Sequence, residues 1–410
     1  MKIRLLSLLI GISLSAQQLS IEEAITKVLH THPDIKKFVL HVSQSQSRVA
    51  MANADYLPQI NINAEYDATK TYVFPTNGVF NTKESDGWQV GAQLSQKIWD
   101  FSKTTANIDA KNESVKISKL SLEDTKAYLA YKVKVQYELI LVNQEAVDVR
   151  IKDLESKEAL YKQAKAFVKE GLKTSADASR FLSSFYIAQD NLAIAQANLE
   201  KACNTLSVYI GEKVPSDVKL QTYDAALGEI DVKMILNKSL SLQVLQREIK
   251  KSNLDYKSLQ ASHYGSIDAI ASFTHQNTLS EYDSQLIGLT VNIPIYSGGR
   301  ISAQVEEAKL ERQTQQEEYN SQKLLLQDEV EAILIDIKRY EKTIQSKKAQ
   351  LVAARDTSNI LDARYQEGLA TYIEVLDAIA LKLDAKLGLL SAYYERSSMI
   401  HKLEYLQGKI

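Results

Sequence analysis

The sequence predicts a mostly helical chain with a small β part, in which one structural unit is repeated in tandem. Two stretches show the repeat most clearly, AFVKEGLKTSADASR from Ala166 to Arg180 and RYQEGLATYIEVLDA from Arg364 to Ala378, and 197 residues separate their glycines. Short segments alternate between apolar and polar residues, as strands do, and very long segments space their apolar residues as helices do. Each unit is therefore predicted to contain a helix, a β-hairpin, a very long helix, a turn and a long helix.

The separation of 197 residues extends well beyond these two stretches. Matched pairs include Ile98 with Ile295, Trp99 with Tyr296, Val133 with Val330, Ala188 with Ala385 and Gly211 with Gly408. Closer to the start of each unit the separation is 207, where Ile60 and Tyr66 match Ile267 and Phe273, so the first unit carries a ten-residue insertion. We therefore divide the chain into a first repeat over 17–210, a linker over 211–229 and a second repeat over 230–410.

Composition and charge exclude several classes of protein. The 410 residues include 49 basic and 51 acidic side chains and carry a net charge of −2, so we expect no nucleic-acid partner. Residues 1–16 combine Lys2 and Arg4 with a short apolar run, which is typical of a secretory signal peptide and too short to cross a bilayer. No later segment offers the roughly twenty apolar residues of a spanning helix. The single cysteine, Cys203, excludes an internal disulfide bond.

The first repeat begins with two predicted helices and two predicted strands. Ser20, with Glu23 three residues later, is typical of a helix N-cap, and this helix is expected to end near Pro33. A second helix follows over 34–56. Alternation of apolar and polar residues predicts strands at about 59–67 and 88–98. Glycine, proline and asparagine residues between these strands predict a long loop over 68–86.

Nothing interrupts the helical pattern from Phe101 to about Lys169, which corresponds to a rod of roughly 100 Å. Within it, YKVKVQYELIL (131–141) alternates like a strand, but its copy in the second repeat, DEVEAILIDIK, spaces apolar residues at threes and fours. We therefore predict helix for both segments. A returning helix is predicted over 175–209. The second repeat has the same order, with helices between about 231 and 262, strands at about 266–275 and 285–296, and helices over 301–366 and 372–406.

Both helix-to-helix turns contain residues that suit a tight connection. Gly171 and Gly368 can adopt the left-handed conformation that ends a helix. Thr174 and Thr371, three residues later, can each cap the next helix. The sequence therefore predicts two matching turns, one in each repeat.

The glycine pair Gly298 and Gly299 follows Pro294 at the end of the last predicted strand. It lacks the Lys-Ser/Thr of a phosphate-binding loop, so we interpret Pro294, Gly298 and Gly299 as a strand-to-helix junction. His30 and His32 are two residues apart and point to different faces of a helix, so we predict no metal site. Without a catalytic constellation or a nucleotide-binding motif, we predict neither enzymatic activity nor a cofactor.

The predicted strands suggest a place in a membrane. Each has nearly the ten residues that a tilted strand needs to cross a bilayer, and their alternation is typical of outer-membrane barrels. Four strands cannot close around water, and open sheet edges are not tolerated in lipid. Several copies of the chain are therefore expected to share one barrel, with the paired long helices packed into a tube beneath it.

At this point the sequence resembles the TolC-type outer-membrane efflux proteins, also called outer membrane factors. The resemblance covers essentially the whole mature chain. It rests on LSIEEAI with the following Pro33, YLPQI before the first strand, NIPIYSGGRISAQVEEA from Asn292 to Ala308, and GLATYIEVLDA from Gly368. Each motif is weak alone, but together, in this order and duplicated, they are specific.

The resemblance implies a homotrimer with a twelve-stranded barrel in outer-membrane lipid, continuous with an α-helical barrel that extends into the periplasm. The linker over 211–229 would belong to a mixed equatorial belt around the helices. Such proteins serve as the passive exit duct of a tripartite efflux pump or a type I secretion system. The implied partners are a periplasmic adaptor (membrane fusion) protein and an inner-membrane pump.

The resemblance also implies roles for residues at the turns, which would lie at the periplasmic mouth. Glu374 and Asp377, with Asp177 on the first turn, match the acidic residues that ring the aperture. Tyr365 and Asp177 match members of the gate lock, whereas Ala370 stands where the best-known gate has a basic residue. By spacing alone, Glu374 and Asp377 are also ordinary carboxylates near a helix start, where they complement the helix dipole.

Two other functions remain open from the sequence. A stand-alone outer-membrane porin would use the strands but has no need of such long paired helices. A structural coiled-coil spacer of the cell envelope would use the helices, with the hairpins as anchors, and would conduct no ions.

Overall fold

The computed structural model describes residues 18–222, 225–228 and 231–410. The predicted signal peptide over 1–16 lies outside the described residues. The chain divides into two compact units. The first unit contains Met1–Lys36, Glu123–Leu240 and Leu325–Ile410, and the second contains Lys37–Leu122 and Ser241–Leu324.

Eight helices and four strands make up the described chain, and they follow the predicted order in each repeat. Their bounds are α1 (Ile21–Thr31), α2 (Pro33–Ala54), β1 (Gln59–Thr76), β2 (Val79–Trp99), α3 (Lys103–Lys169), α4 (Ser175–Ile210), α5 (Val232–Lys238), α6 (Leu240–Ala261), β3 (Ser266–Asn277), β4 (Glu281–Asn292), α7 (Arg300–Gln366) and α8 (Tyr372–Leu406). Helices α3 and α7 have 67 residues each and begin 197 residues apart, so the long helices follow the repeat closely. The segment 131–141 is helical, as its copy indicated.

The second unit contains one antiparallel sheet with the order β1-β2-β3-β4. The register places Ile60, Leu94, Ala271 and Ile287 in one row across all four strands. Asn63, Gly91, Thr274 and Ser284 form a row on the opposite face. One face of the sheet is therefore apolar and the other polar, and β1 and β4 are its two edges.

The predicted long loop over 68–86 is wrong, because β1 and β2 continue through it. The strands shift register between Asp67 and Lys70 and then pair as far as Thr76 and Val79. The connection is the dipeptide Asn77–Gly78, whose φ angles of 52° and 82° suit a tight hairpin turn. The predicted strand limits near 67 and 88 are therefore too short.

The limits of the second hairpin also differ from the prediction. Strand β3 continues to Asn277 and β4 begins at Glu281, so the connecting loop is shorter than expected. At the other end β4 stops at Asn292, and not near 296. Pro294 explains this early end, because proline has no N–H to donate to a neighbouring strand.

The junctions between the sheet and the long helices have the same backbone in both repeats. Phe101 and Ser102 have φ angles of 55° and 70°, and Gly298 and Gly299, 197 residues later, have angles of 63° and 81°. Glycine adopts positive φ without steric cost, whereas residues with a Cβ do not. The first repeat therefore carries backbone strain that the second repeat avoids.

Replacing Ser102 by glycine is expected to stabilise the second unit by about 1 kcal/mol, because it removes the Cβ from a left-handed position. Thermal unfolding of the purified protein checks this, with Ser102→Ala as the matched control, since alanine keeps the Cβ. A melting temperature that rises equally for both variants would show that loss of the hydroxyl, and not relief of backbone strain, is responsible.

In the first unit, the described part of the linker packs on the helices. The hydroxyl of the buried Tyr137 lies 2.7 Å from the carbonyl oxygen of Leu19 and 2.9 Å from that of Gln221, and the two acceptors share its single proton. Leu19 and Leu220 form a short parallel bridge. One tyrosine on α3 thus ties the start of the described chain and the segment after α4 to the same helix.

A buried charged network lies between α3 and α8 in the same unit. His401 is fully buried, and its Nε2 lies 2.9 Å from Oε1 of Glu138, while its Nδ1 lies 3.2 Å from Oε2 of Glu404. Lys134 donates to the same oxygen of Glu404 at 2.9 Å. Burial alone would lower the pKa of His401, but the hydrogen bonds to both carboxylates outweigh it and raise the pKa. For Glu404, burial is outweighed by the hydrogen bonds from His401 and Lys134, which lower the pKa to about 2.

These shifts predict how stability depends on pH. The contribution of His401 is present below its unfolded pKa of about 6.5 and is lost as the pH rises through its raised folded pKa. The contribution of Glu404 is present above its unfolded pKa near 4.5 and is lost as the pH falls towards 2. The helical melting temperature is therefore expected to be highest between about pH 4.5 and 6.5. In His401→Gln, the melting temperature should decline less at higher pH than in the wild type. In the control His263→Gln, where the histidine is exposed, it should decline as in the wild type. An equal decline in the wild type and both variants would contradict this account.

Candidate functional site

The two helix-to-helix turns, both in the first unit, have the same backbone. Gly171 and Gly368 have φ angles of 73° and 76°. The N–H of Leu172 donates to the carbonyl of Phe167, five residues back, at 2.9 Å, and Leu369 donates in the same way to Arg364 at 2.8 Å. This bond from beyond the glycine to the last helical turn defines the Schellman motif. The glycines therefore end α3 and α7 in the way that the sequence suggested.

In each turn, a threonine caps the N-terminus of the helix that follows. Asp177 accepts hydrogen bonds from the backbone N and the hydroxyl of Thr174, at 3.1 and 3.0 Å. Glu374 accepts the same two bonds from Thr371, at 2.7 and 2.8 Å. The bond from the backbone of Thr371, followed by the bond from its hydroxyl, lowers the pKa of Glu374. Both carboxylates thus cap their own helix, and Glu374 is held in its ionised form.

The two turns share one hydrophobic cluster, which we call the tip cluster. Its buried members come from α3, α4, α7, α8 and the second turn, and they are Leu160, Ala164, Phe181, Tyr365, Ala370, Val375 and Ile379. Phe181 and Tyr365 lie at its centre, both fully buried, with ring centroids 5.5 Å apart in an edge-to-face arrangement. Since aromatic pairs of this geometry stabilise beyond their buried area, the cluster holds the two turns together.

Tyr365 is buried in the tip cluster and is not exposed at the tip. Its hydroxyl has no hydrogen-bond partner within the described part of the chain. Burial is the main cause that raises the pKa of Tyr365, and the negative charge of Asp177 adds to it. Tyr365 and Asp177 therefore interact electrostatically, and no hydrogen bond joins them in the described structure.

Ala370 lies inside the tip cluster, with 5% of its surface exposed. The resemblance placed a basic gate residue at this position. In this chain the position instead contributes a small buried side chain to the packing of the turn. Asp377, by contrast, is exposed on the first turns of α8.

Sequence reasoning missed three basic residues at the turns. Arg364 donates a hydrogen bond to the carbonyl of Leu369 at 3.3 Å, and its charge contributes to the lowered pKa of Glu374. The other two lie over aromatic rings: Lys173 over Tyr365 at 5.5 Å and Arg180 over Tyr372 at 5.2 Å. The sequence could have indicated Arg364, because basic residues in the last turn of a helix interact favourably with the helix dipole. The tips therefore carry charges of both signs.

Two negative findings concern the described residues only. They contain no group of three or more His, Cys, Asp or Glu side chains arranged to hold a metal ion. None of the described helices is both long and apolar enough to cross a membrane.

Comparison with known proteins identifies the family. The sequence matches the outer membrane efflux protein family over residues 24–212 and 232–408. The chain belongs to this family. TolC of Escherichia coli (strain K12) is 24% identical to this family member over 95% of the chain and 83% of TolC. The cation efflux system protein CusC of the same organism is 21% identical over 92% of the chain and 83% of CusC.

Solved structures of the family have the same fold. The crystal structure of CusC superposes with a TM-score of 0.85 at 17% identity, over 95% of this chain and 92% of that one. The open state of the MtrE channel of Neisseria gonorrhoeae gives 0.81 at 18% identity, over 95% and 89%. The relatives named here are efflux proteins and channels of the outer membrane.

Proposed function

We propose that this efflux protein is the exit duct of a tripartite efflux pump or a type I secretion system. It acts as a passive homotrimer that crosses the outer membrane as a twelve-stranded barrel and extends through the periplasm. A periplasmic adaptor engages its helices, and an inner-membrane pump supplies the energy. The predicted signal peptide over 1–16 directs export, and the linker over 211–229 forms part of an equatorial belt.

One observation carries this proposal: the sheet is apolar on one face, polar on the other, and has two free edges. Apolar residues of β4 are among the most exposed in the described chain, with Ile287 at 91% and Leu289 at 70%. Such a surface suits lipid, whereas free edges do not, because unpaired backbone groups are costly there. Pairing β1 of one copy with β4 of the next satisfies both edges, and three copies supply twelve strands.

We also assign the two turns to the periplasmic aperture. Glu374, Asp377 and Asp177 form the aperture ring, and Tyr365 with Asp177 takes part in the gate lock. The negative charge of Asp177, which adds to burial in raising the pKa of Tyr365, supports the pairing of these two residues in the assignment. With Ala370 in place of a basic residue, Arg364, Lys173 and Arg180 are the cations available to a lock.

The test is single-channel recording of the purified protein in planar bilayers, together with native mass spectrometry. The duct predicts a mass of three chains and discrete conductance steps that change when the cognate adaptor is added. A structural spacer predicts no steps, and a stand-alone porin predicts steps that the adaptor leaves unaltered. Either of these two results would refute the exit-duct proposal.

A further inference from the structure

A cavity of 220 Å³ lies between α3, α7 and α8 in the first unit, and Ile379 of the tip cluster forms part of its wall. Its wall is apolar on one side, where Val149, Leu351 and Leu383 contribute. The remaining lining is polar and mostly basic, from Lys152, Asp153, Ser156, Arg355, Lys382 and Lys386. Four positive charges thus face one negative charge around a single space.

The four cations form no ion pair with any carboxylate in the described part of the chain. Among the residues that the structure describes, no carboxylate oxygen lies within 4.0 Å of Lys152, Arg355, Lys382 or Lys386. The polar contact of Lys382 is a long one, 3.5 Å from its Nζ to the hydroxyl of Ser358. Like charges around one space attract an anion that can contact several of them at once.

The carboxylate of the cavity is also incompletely satisfied. Asp153 is 8% exposed, and its buried Oδ1 accepts no hydrogen bond within the described chain. The nearest cation to that oxygen is Lys157, at 4.0 Å, which is beyond hydrogen-bond distance. A buried acceptor without a donor is unfavourable. A ligand that donates a hydrogen bond to Oδ1 of Asp153 would therefore be stabilised in this cavity.

The repeat shows that the fold itself does not require this charge. At the matching positions 197 residues away, Ala349 replaces Lys152, Glu158 replaces Arg355, Phe185 replaces Lys382 and Gln189 replaces Lys386. The matching helices of the repeat therefore form without basic residues at these positions. The cations of the cavity need a reason other than architecture.

We propose that this cavity binds a small organic anion with an apolar body and a hydrogen-bond donor. The anionic group contacts Lys382, Lys386 and Arg355, the apolar body lies against Leu351 and Leu383, and the donor reaches Oδ1 of Asp153. Such a ligand joins α3, α7 and α8 about 15–30 Å along the helices from the turns. The site goes beyond the proposed function, because it holds a ligand whether or not the chain is an exit duct.

The probe is 6-hydroxy-2-naphthoate, titrated calorimetrically into the purified protein in nanodiscs of zwitterionic lipid, where neither micelles nor anionic polymers compete. Lys382→Gln with Lys386→Gln is expected to weaken binding about tenfold or more, since charge-assisted hydrogen bonds are lost. Lys347→Gln is the matched control, because Lys347 pairs with Asp384 at 3.6 Å and does not line the cavity. The neutral analogue 2-naphthol should bind about tenfold more weakly than the anion.

The role of the ligand's hydrogen-bond donor is tested with a probe that lacks the hydroxyl group. 2-Naphthoate should bind the wild type about threefold more weakly than the hydroxylated probe, and Asp153→Ala should abolish that difference. Equal binding by wild type and the double lysine variant, or equal affinity for 2-naphthol, would overturn the proposal. So would an absence of probe binding when a glutamate-rich helical peptide binds, because the cations would then serve a protein partner.

Discussion

Neutralising the acidic residues after the second turn, with Glu374→Gln and Asp377→Asn, is expected to lower the cation selectivity of the channel by about threefold or more. The proposed trimer would gather these carboxylates at one constriction, where rings of Asp and Glu attract cations. The hydrogen bonds from Thr371 lower the pKa of Glu374, so its charge is present at neutral pH. Reversal potentials across a KCl gradient in planar bilayers measure the effect, and block by divalent cations should weaken in parallel.

The choice of substitutions separates charge from structure. Glu374 also caps α8 through Thr371, and glutamine keeps an acceptor for these bonds whereas alanine removes it. Asp356→Asn, an exposed carboxylate of α7 ten residues or more from the turn, serves as the charge control. If the double variant keeps its selectivity and its divalent block, the aperture ring lies elsewhere in the chain.

Removing the ring of Phe181 is expected to loosen both turns together. Phe181→Ala empties the centre of the tip cluster, and burial of this kind is worth about 3–5 kcal/mol. The lost edge-to-face contacts are those with Tyr365 at 5.5 Å and Tyr372 at 6.3 Å, so residues of both repeats are affected. Limited proteolysis at the turns should accelerate by about tenfold or more, because local opening there becomes cheaper.

The matched control for this effect is Tyr186→Ala on the same helix. Tyr186 is 59% exposed and outside the tip cluster, so its removal should leave proteolysis at the turns unchanged. Hydrogen exchange adds a second readout, since protection should fall around Gly171 and Gly368 and persist around Tyr137. Proteolysis that accelerates at only one turn would mean that the cluster does not couple the two repeats.

The long helices were predictable because the chain contains each of them twice. The segment 131–141 alternates like a strand, but its copy has helical spacing, and the structure places it inside α3. The turns were equally predictable, since a left-handed glycine and a capping threonine act within a few residues of one another. Duplication thus resolved an ambiguity that a single copy leaves open.

The first hairpin was predicted less well for a physical reason. Beyond the register shift at Asp67, β1 and β2 extend past the end of β3 and pair only with each other. Residues there are exposed on both faces, so no alternation of apolar and polar side chains is needed. The dipeptide Asn77–Gly78 was the one local signal of a hairpin, and it lay within what the composition suggested was a loop.

By itself, the sequence determined the order of helices and strands, the two turns and the family. These features depend on interactions between residues that are close in sequence, or on motifs that can be recognised because they occur in both repeats. Only the tertiary structure decided which side chains meet across long separations, as His401 does with Glu138, 263 residues apart. The tertiary structure also buries Ala370 in the tip cluster, places Lys173 over the ring of Tyr365, and brings four cations together around one cavity. Burial and charge pairing arise when distant helices pack, and no local pattern records which partners they find.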